Sequence, residues 1–196
     1  LLEMLIKQKF NILGYVSPLP AANKKLFSNL NWFKSDNDIS QFDKLTIKLV
    51  NGIGSLPGNT RRSDLYRQYK KLGYNFATLV STESSVSIYA CLEEGVQVMR
   101  GAIIQTGVSV GCNSIVNTGA IIDHDCCIGS NNHVAPGATI SGKVTSKENV
   151  HFGTGSSIIQ SININENVVV GAGATITKDL ERNIICYPSR GFYKGY

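Results

Sequence analysis

No apolar run in this 196-residue chain approaches eighteen residues, so the sequence offers no membrane-spanning helix. It holds no dense lysine or arginine tract either. Nothing in it therefore argues for a nucleic-acid partner, and the mild net charge of +5, from 19 basic and 14 acidic side chains, suits the handling of phosphates. The N-terminal LLEMLIKQKF is amphipathic and lacks a cleavable signal pattern. The five cysteines are an odd number without a CxxC pair, which reads as a reducing, cytosolic compartment. Histidine is scarce as well. His124, His133 and His151 are the only three, so any imidazole chemistry must be assigned among them.

What the chain does have is a beat of six. From Val86 to Ile176 every sixth residue is an anchor, and fifteen of the sixteen anchors are bulky and apolar, Ser146 being the exception. A second column, four residues after each anchor, is mostly small or β-branched and includes Ala102, Cys126, Asn132 and Val144. A period of six fits neither an α-helix nor a half-buried strand; it is the hexapeptide period of a parallel β-helix. Three hexads make one triangular coil, so residues eighteen apart stack at the strand spacing of about 4.8 Å. Anchors fill the prism, and the second column lies near its corners. Glycines keep the same beat, as in Gly101, Gly119 and Gly137 or Gly111 and Gly129, and are expected at tight corners with positive φ. Cys91 and Cys127 share a column two coils apart, too far for a disulfide.

The first eighty residues lack the beat. Leu1 to Gln8 reads as the end of a helix, and Phe10 to Val16 and Leu45 to Val50 as strands. Arg61 to Leu72 reads as a helix stopped by Gly73, and Phe76 to Val80 as a third strand. Strands alternating with helices predict a small parallel α/β domain over 1–84, ahead of a β-helix domain with a C-terminal tail over 85–196. Gly52 and Gly54 follow a strand, where a phosphate can approach the backbone.

His133 and His151 are eighteen apart and share a column; His124 belongs to another. Two stacked histidines and one on a different side do not make an obvious tetrahedral metal set, so no metal is expected. His124 lies in Asp123-His124-Asp125, a polar intrusion in a coil of Val, Ile, Ala and Gly. An acidic neighbour fixes an imidazole tautomer and raises its basicity, which a general base needs.

The runs NTGAIIDHDCCIGSNNHVAPGATISGKV and FGTGSSIIQSININENVVVGAGATITKDL, with FNILGYV, GIGS and GYNFATLVS upstream, resemble bacterial sugar acetyltransferases. The family is that of the sialic-acid O-acetyltransferases and pilin-glycosylation UDP-amino-sugar N-acetyltransferases. This resemblance implies a left-handed parallel β-helix preceded by a Rossmann-like domain. That domain is N-terminally incomplete against the family pattern, whose opening GxGG loop is not in the sequence. It implies acetyl-CoA as co-substrate and acetyl transfer to an amino sugar, with a UDP-4-amino sugar first and O-acetylation of a sialic-acid-type sugar as the alternative. By the same resemblance His124 is the base and Asp125 tunes it. His133, Gly142, Thr154 and Ala172 contact acetyl-CoA, while Asn117, Gly54 and Arg62 face the sugar nucleotide, with Arg61 as the alternative to Arg62. Sites would form between the subunits of a cytoplasmic homotrimer. A non-catalytic trimeric scaffold is the reading from another class.

Overall fold

The computed structural model describes residues 1–21 and 25–188. From Leu79 onward the chain winds as a three-sided parallel β-helix of two-residue strands. One face runs through Leu79–Val80, Gln97–Val98, Ile115–Val116, His133–Val134, His151–Phe152, Val169–Val170 and Ile185–Cys186. A second runs from Ser85–Val86 to Thr175–Ile176, and a third from Cys91–Leu92 to Asn163–Ile164. In each strand the first residue points outward and the anchor points in. Val98, Val110, Val116, Ile122, Ile140 and Phe152 are essentially inaccessible, and the second column is buried beside them. The tail of the expected β-helix domain beyond 188 lies outside the described residues.

Ser146, the one polar anchor, is matched by Asn132, one of the polar members of the second column. Asn132 Nδ2 donates to Ser146 Oγ at 2.7 Å, and Asn132 Oδ1 accepts from the Val150 N–H at 2.7 Å. Ser146 and Asn132 therefore satisfy each other, as buried polar groups generally do.

The corners divide the glycines into two kinds. Positive φ recurs at every sixth residue from Gly95 to Gly173, occupied by glycine, by asparagine as at Asn113 and Asn131, or by residues such as Asp125 and Lys143. Gly101, Gly119 and Gly137 belong to this column as expected. Gly111, Gly129, Gly153 and Gly171 do not, and the expectation of positive φ fails for them. They are glycine because neighbouring coils crowd them: a Cβ on Gly129 would lie 2.4 Å from the Lys147 carbonyl oxygen.

Ahead of the coil, helix α1 covers Leu2–Lys7 and helix α2 covers Arg61–Lys71. Strands β1 (Gly14–Val16) and β2 (Asn31–Phe33) pair in parallel, as do β3 (Lys48–Leu49) and β4 (Asn75–Phe76). The parallel α/β character is as expected, but the FATLV strand is not continuous. Phe76 pairs with Leu49, whereas Val80 pairs with Val98 and is already an anchor, six residues before Val86. The coil thus starts at Leu79, ahead of residue 85, because the period does. Tyr69, Tyr74 and Phe76 form a separate small core behind α2. Lys70 binds Glu94 at 2.8 Å, and Gln97 Nε2 donates to the Asn51 carbonyl at 2.8 Å, so polar contacts tie this part to the first coil. Among the described residues no helix is long and apolar enough to cross a membrane.

Candidate active site

His124 and Asp125 occupy a corner between the second and third faces. Asp123 Oδ1 accepts the His124 backbone N–H at 2.8 Å, which locks the turn. Asp125 sits at φ 58°, in the corner column filled mostly by glycine and asparagine. Aspartate is among the few side chains that tolerate this conformation. It brings Oδ2 to 3.0 Å from His124 Nδ1. The carboxylate accepts the Nδ1–H, which leaves the lone pair on Nε2. The two side chains are 48% and 55% exposed, and Nε2 has no hydrogen-bond partner among the described residues.

Two glycines frame the pair. Gly142 lies one coil beyond His124, and a Cβ there would be 2.6 Å from Nε2 and 2.7 Å from Cε1. Gly107 lies one coil before Asp125, where a Cβ would meet Oδ1 at 2.5 Å. Among the described residues the Gly142 N–H has no acceptor, so it is a free donor beside the imidazole. The sequence reading missed Gly107, although its distance of eighteen from Asp125 was the available signal.

His133 and Asn117 meet elsewhere. His133 stands on the first face, its Nδ1–H donating to the Ser55 carbonyl at 3.0 Å and its Nε2 accepting from Asn117 Nδ2 at 3.1 Å. Both ring nitrogens are satisfied in the neutral form. Burial, aided by the neighbouring His151 ring at 4.9 Å, pushes its pKa down to about 4. The ordinary value of 6.5 is that of the unfolded chain. The unfolded state therefore takes up the proton first, and stability present above pH 6.5 drains away as pH falls toward 4. Unfolding in denaturant at pH 7 and pH 4 should show the wild type losing about 2–3 kcal/mol more than His133→Gln. Equal losses would remove the assignment.

The remaining positions separate by role. Thr154 and Ala172 stack one coil apart at the corner between the first and second faces, and both are exposed. Their neighbours Gly137, Gly155 and Gly173 have open space where a Cβ would go, so this corner is a smooth ledge. Gly54 is exposed in open space. Arg62, by contrast, is 5% exposed, and its guanidinium donates to the carbonyls of Asn51 at 3.0 Å, Ile53 at 2.6 Å and Asn113 at 3.1 Å. It clamps the Asn51–Ile53 turn to the coil, and burial pushes its pKa down to about 10. Arg61 is exposed. No hydrogen bond among the described residues joins His124 to Asn117, His133, Gly54 or Arg62. The base and the other half of the expected site lie on different sides of one prism.

No protein-family profile matches the chain, and no curated protein matches it in sequence. Solved structures do match in fold. PerB from Caulobacter crescentus, in complex with CoA and GDP-perosamine, is 27% identical with a TM-score of 0.83, covering 94% of this chain and 86% of that one. A histidine-to-asparagine variant of perosamine N-acetyltransferase from the same organism, again with CoA and GDP-perosamine, is 26% identical with a TM-score of 0.81 over 94% and 85%. The acetyltransferase domain of PglB from Neisseria gonorrhoeae, in complex with acetyl coenzyme A, shares the fold at 23% identity, with a TM-score of 0.82 over 97% and 91%. The fold is the left-handed β-helix of sugar acetyltransferases, as the hexapeptide beat and the resemblance led us to expect.

Proposed function

We propose that this chain transfers the acetyl group of acetyl-CoA to the amine of a nucleotide-linked amino sugar used in bacterial surface glycans. The observation that carries the reading is the exposed His124–Asp125 pair, its tautomer set at 3.0 Å and its Nε2 free, on the fold of a CoA- and GDP-perosamine-binding N-acetyltransferase. His124 Nε2 takes the proton from the amine as the nitrogen attacks the thioester carbonyl. In this reading the Gly142 N–H, which has no acceptor among the described residues, meets the oxyanion that develops there. Asp125 stabilises the imidazolium, and the proton returns to the departing thiolate. No covalent intermediate is involved, and the buried Cys126 thiol, pushed up to about 11 by desolvation, suits a core residue rather than a nucleophile.

In this reading the ledge at Thr154 and Ala172, with His133, takes the pantetheine, and Asn117 and the Gly54 turn take the sugar side. Arg62 acts there by holding the turn. Because His124 and the ledge lie at different corners, one complete cleft calls for the His124 corner of one chain beside the first face of another. We therefore propose a cytoplasmic homotrimer with shared sites, in which residues 1–84 serve the sugar nucleotide and 85–196 the acetyl transfer. Thiol release from acetyl-CoA, followed with GDP- and UDP-linked amino sugars, free amino sugars and sialic-acid-type sugars, tests the proposal. Turnover is expected with nucleotide-linked amines, UDP-4-amino sugars among them. Turnover only with hydroxyl acceptors would reassign the enzyme to O-acetylation. Silence across the panel would leave the scaffold reading.

A further inference from the structure

A cavity of about 530 Å³ opens where the coil meets the Ser55–Thr60 loop, at the corner between the third and first faces. Neither His124, Asp125, Gly142 nor the ledge residues line it. Its coil wall is a ladder of asparagines. Asn113 Nδ2 donates to Asn131 Oδ1 at 2.8 Å, Asn149 Nδ2 to Asn167 Oδ1 at 3.2 Å, and Asn167 Nδ2 to Asn183 Oδ1 at 2.9 Å. The rung between Asn131 and Asn149 is missing among the described residues, which leaves Asn131 Nδ2 without an acceptor.

Other donors at this corner are also unfilled. Arg62 lines the cavity, and its Nη2 is buried with no partner among the described residues, although Nε and Nη1 are committed to carbonyls. His151 lines it too, with the ring nitrogen Nδ1 buried and without a partner among the described residues. The N-terminus of α2 forms part of the same wall, and the N–H groups of Arg62 and Ser63 find no acceptor among the described residues. Backbone donors at a helix N-terminus favour negative charge. Among the described residues no aspartate or glutamate lines the cavity to balance the guanidinium. Val150, Val169 and Ile185 supply an apolar floor.

We propose that this corner binds the phosphate of a small phosphate ester with an apolar body, at a site separate from the acetyl-transfer centre. The phosphate fills the donors of Arg62, Asn131 and the α2 N-terminus, and the body lies on the valine and isoleucine floor. The proposal stands on the cavity alone and does not depend on the acetyltransferase reading.

Phenyl phosphate is the probe, with inorganic phosphate and sodium chloride at matched ionic strength beside it. Saturating phenyl phosphate should raise the melting temperature of the full chain by about 2–4 °C over the chloride control. Inorganic phosphate should bind about tenfold more weakly, because it leaves the floor uncovered. Asn131→Asp keeps the shape at a φ that aspartate tolerates, as Asp125 does, and sets a carboxylate beside the phosphate. That variant should weaken phenyl phosphate binding by about tenfold or more. It should leave the KM for acetyl-CoA and for the acceptor within twofold. No shift beyond chloride, an unchanged affinity in Asn131→Asp, or inorganic phosphate binding as tightly as the ester would each overturn the proposal. So would a tenfold rise in either KM, which would make the cavity part of the substrate cleft.

Discussion

Replacing His124 with alanine should lower turnover by roughly 10²–10⁴, the usual contribution of a positioned base. The fold should not suffer. The ring is half exposed, and among the described residues its only side-chain hydrogen bond is to Asp125. Surface changes of this kind stay within about 0.5 kcal/mol. CoA affinity should also hold, since the base acts on the acceptor rather than on the thioester carrier. Thiol release measures the first quantity, and calorimetric titration with CoA the second. A companion variant, Asp125→Asn, separates charge from shape. Asparagine already occupies the same corner column at Asn113 and Asn131, so the backbone accepts it. What is lost is the carboxylate that takes the Nδ1–H, and turnover should fall less than in His124→Ala. Full activity in His124→Ala would remove the mechanism. A CoA affinity that collapsed with it would make the histidine a binding residue instead.

How much of this was legible in the sequence depends on whether a contact repeats. The anchor column, the buried second column and the stacking of residues eighteen apart all follow from one period, and they place His133 beside His151 before any coordinates exist. The pairing of His124 with Asp125 was legible because the two are adjacent. The same period would have given Gly107 and Gly142 as the neighbours of that pair, had each been read eighteen residues away from it. Contacts made once were not legible. Ser55 holds His133 across 78 positions, and no pattern in either segment announces it. The resemblance sets Arg62 on the sugar-nucleotide side. No pattern in the sequence announces that its Nε and Nη1 are committed to the carbonyls of Asn51, Ile53 and Asn113. FATLV reads as one strand because Phe76, Thr78 and Val80 favour β, yet its two ends belong to different sheets. The glycines were read as one kind because a sequence does not distinguish a residue that needs positive φ from one that needs room. Gly142 is of the second kind, and what needs the room is a side chain, the imidazole of His124.

That makes Gly142→Ala the sharpest probe of the site. Its φ is not in the left-handed region, so alanine costs the backbone little. The added methyl would lie 2.6 Å from Nε2, well inside contact distance, and the exposed ring is the part free to give way. It must swing off the position from which it serves the acceptor. Displacements near 1 Å can cost about 10²-fold. Turnover should therefore drop by about that factor, while the KM for acetyl-CoA moves by less than about threefold. The resemblance assigns Gly142 to contact with acetyl-CoA, which predicts the opposite division, a raised KM with turnover preserved. The double variant discriminates further. Once His124 is alanine there is no ring to displace, so adding Gly142→Ala should cost almost nothing more, a coupling visible as strong non-additivity. A loss of the same size in both backgrounds would mean that the methyl acts on the co-substrate or on the free Gly142 N–H, and not through the base.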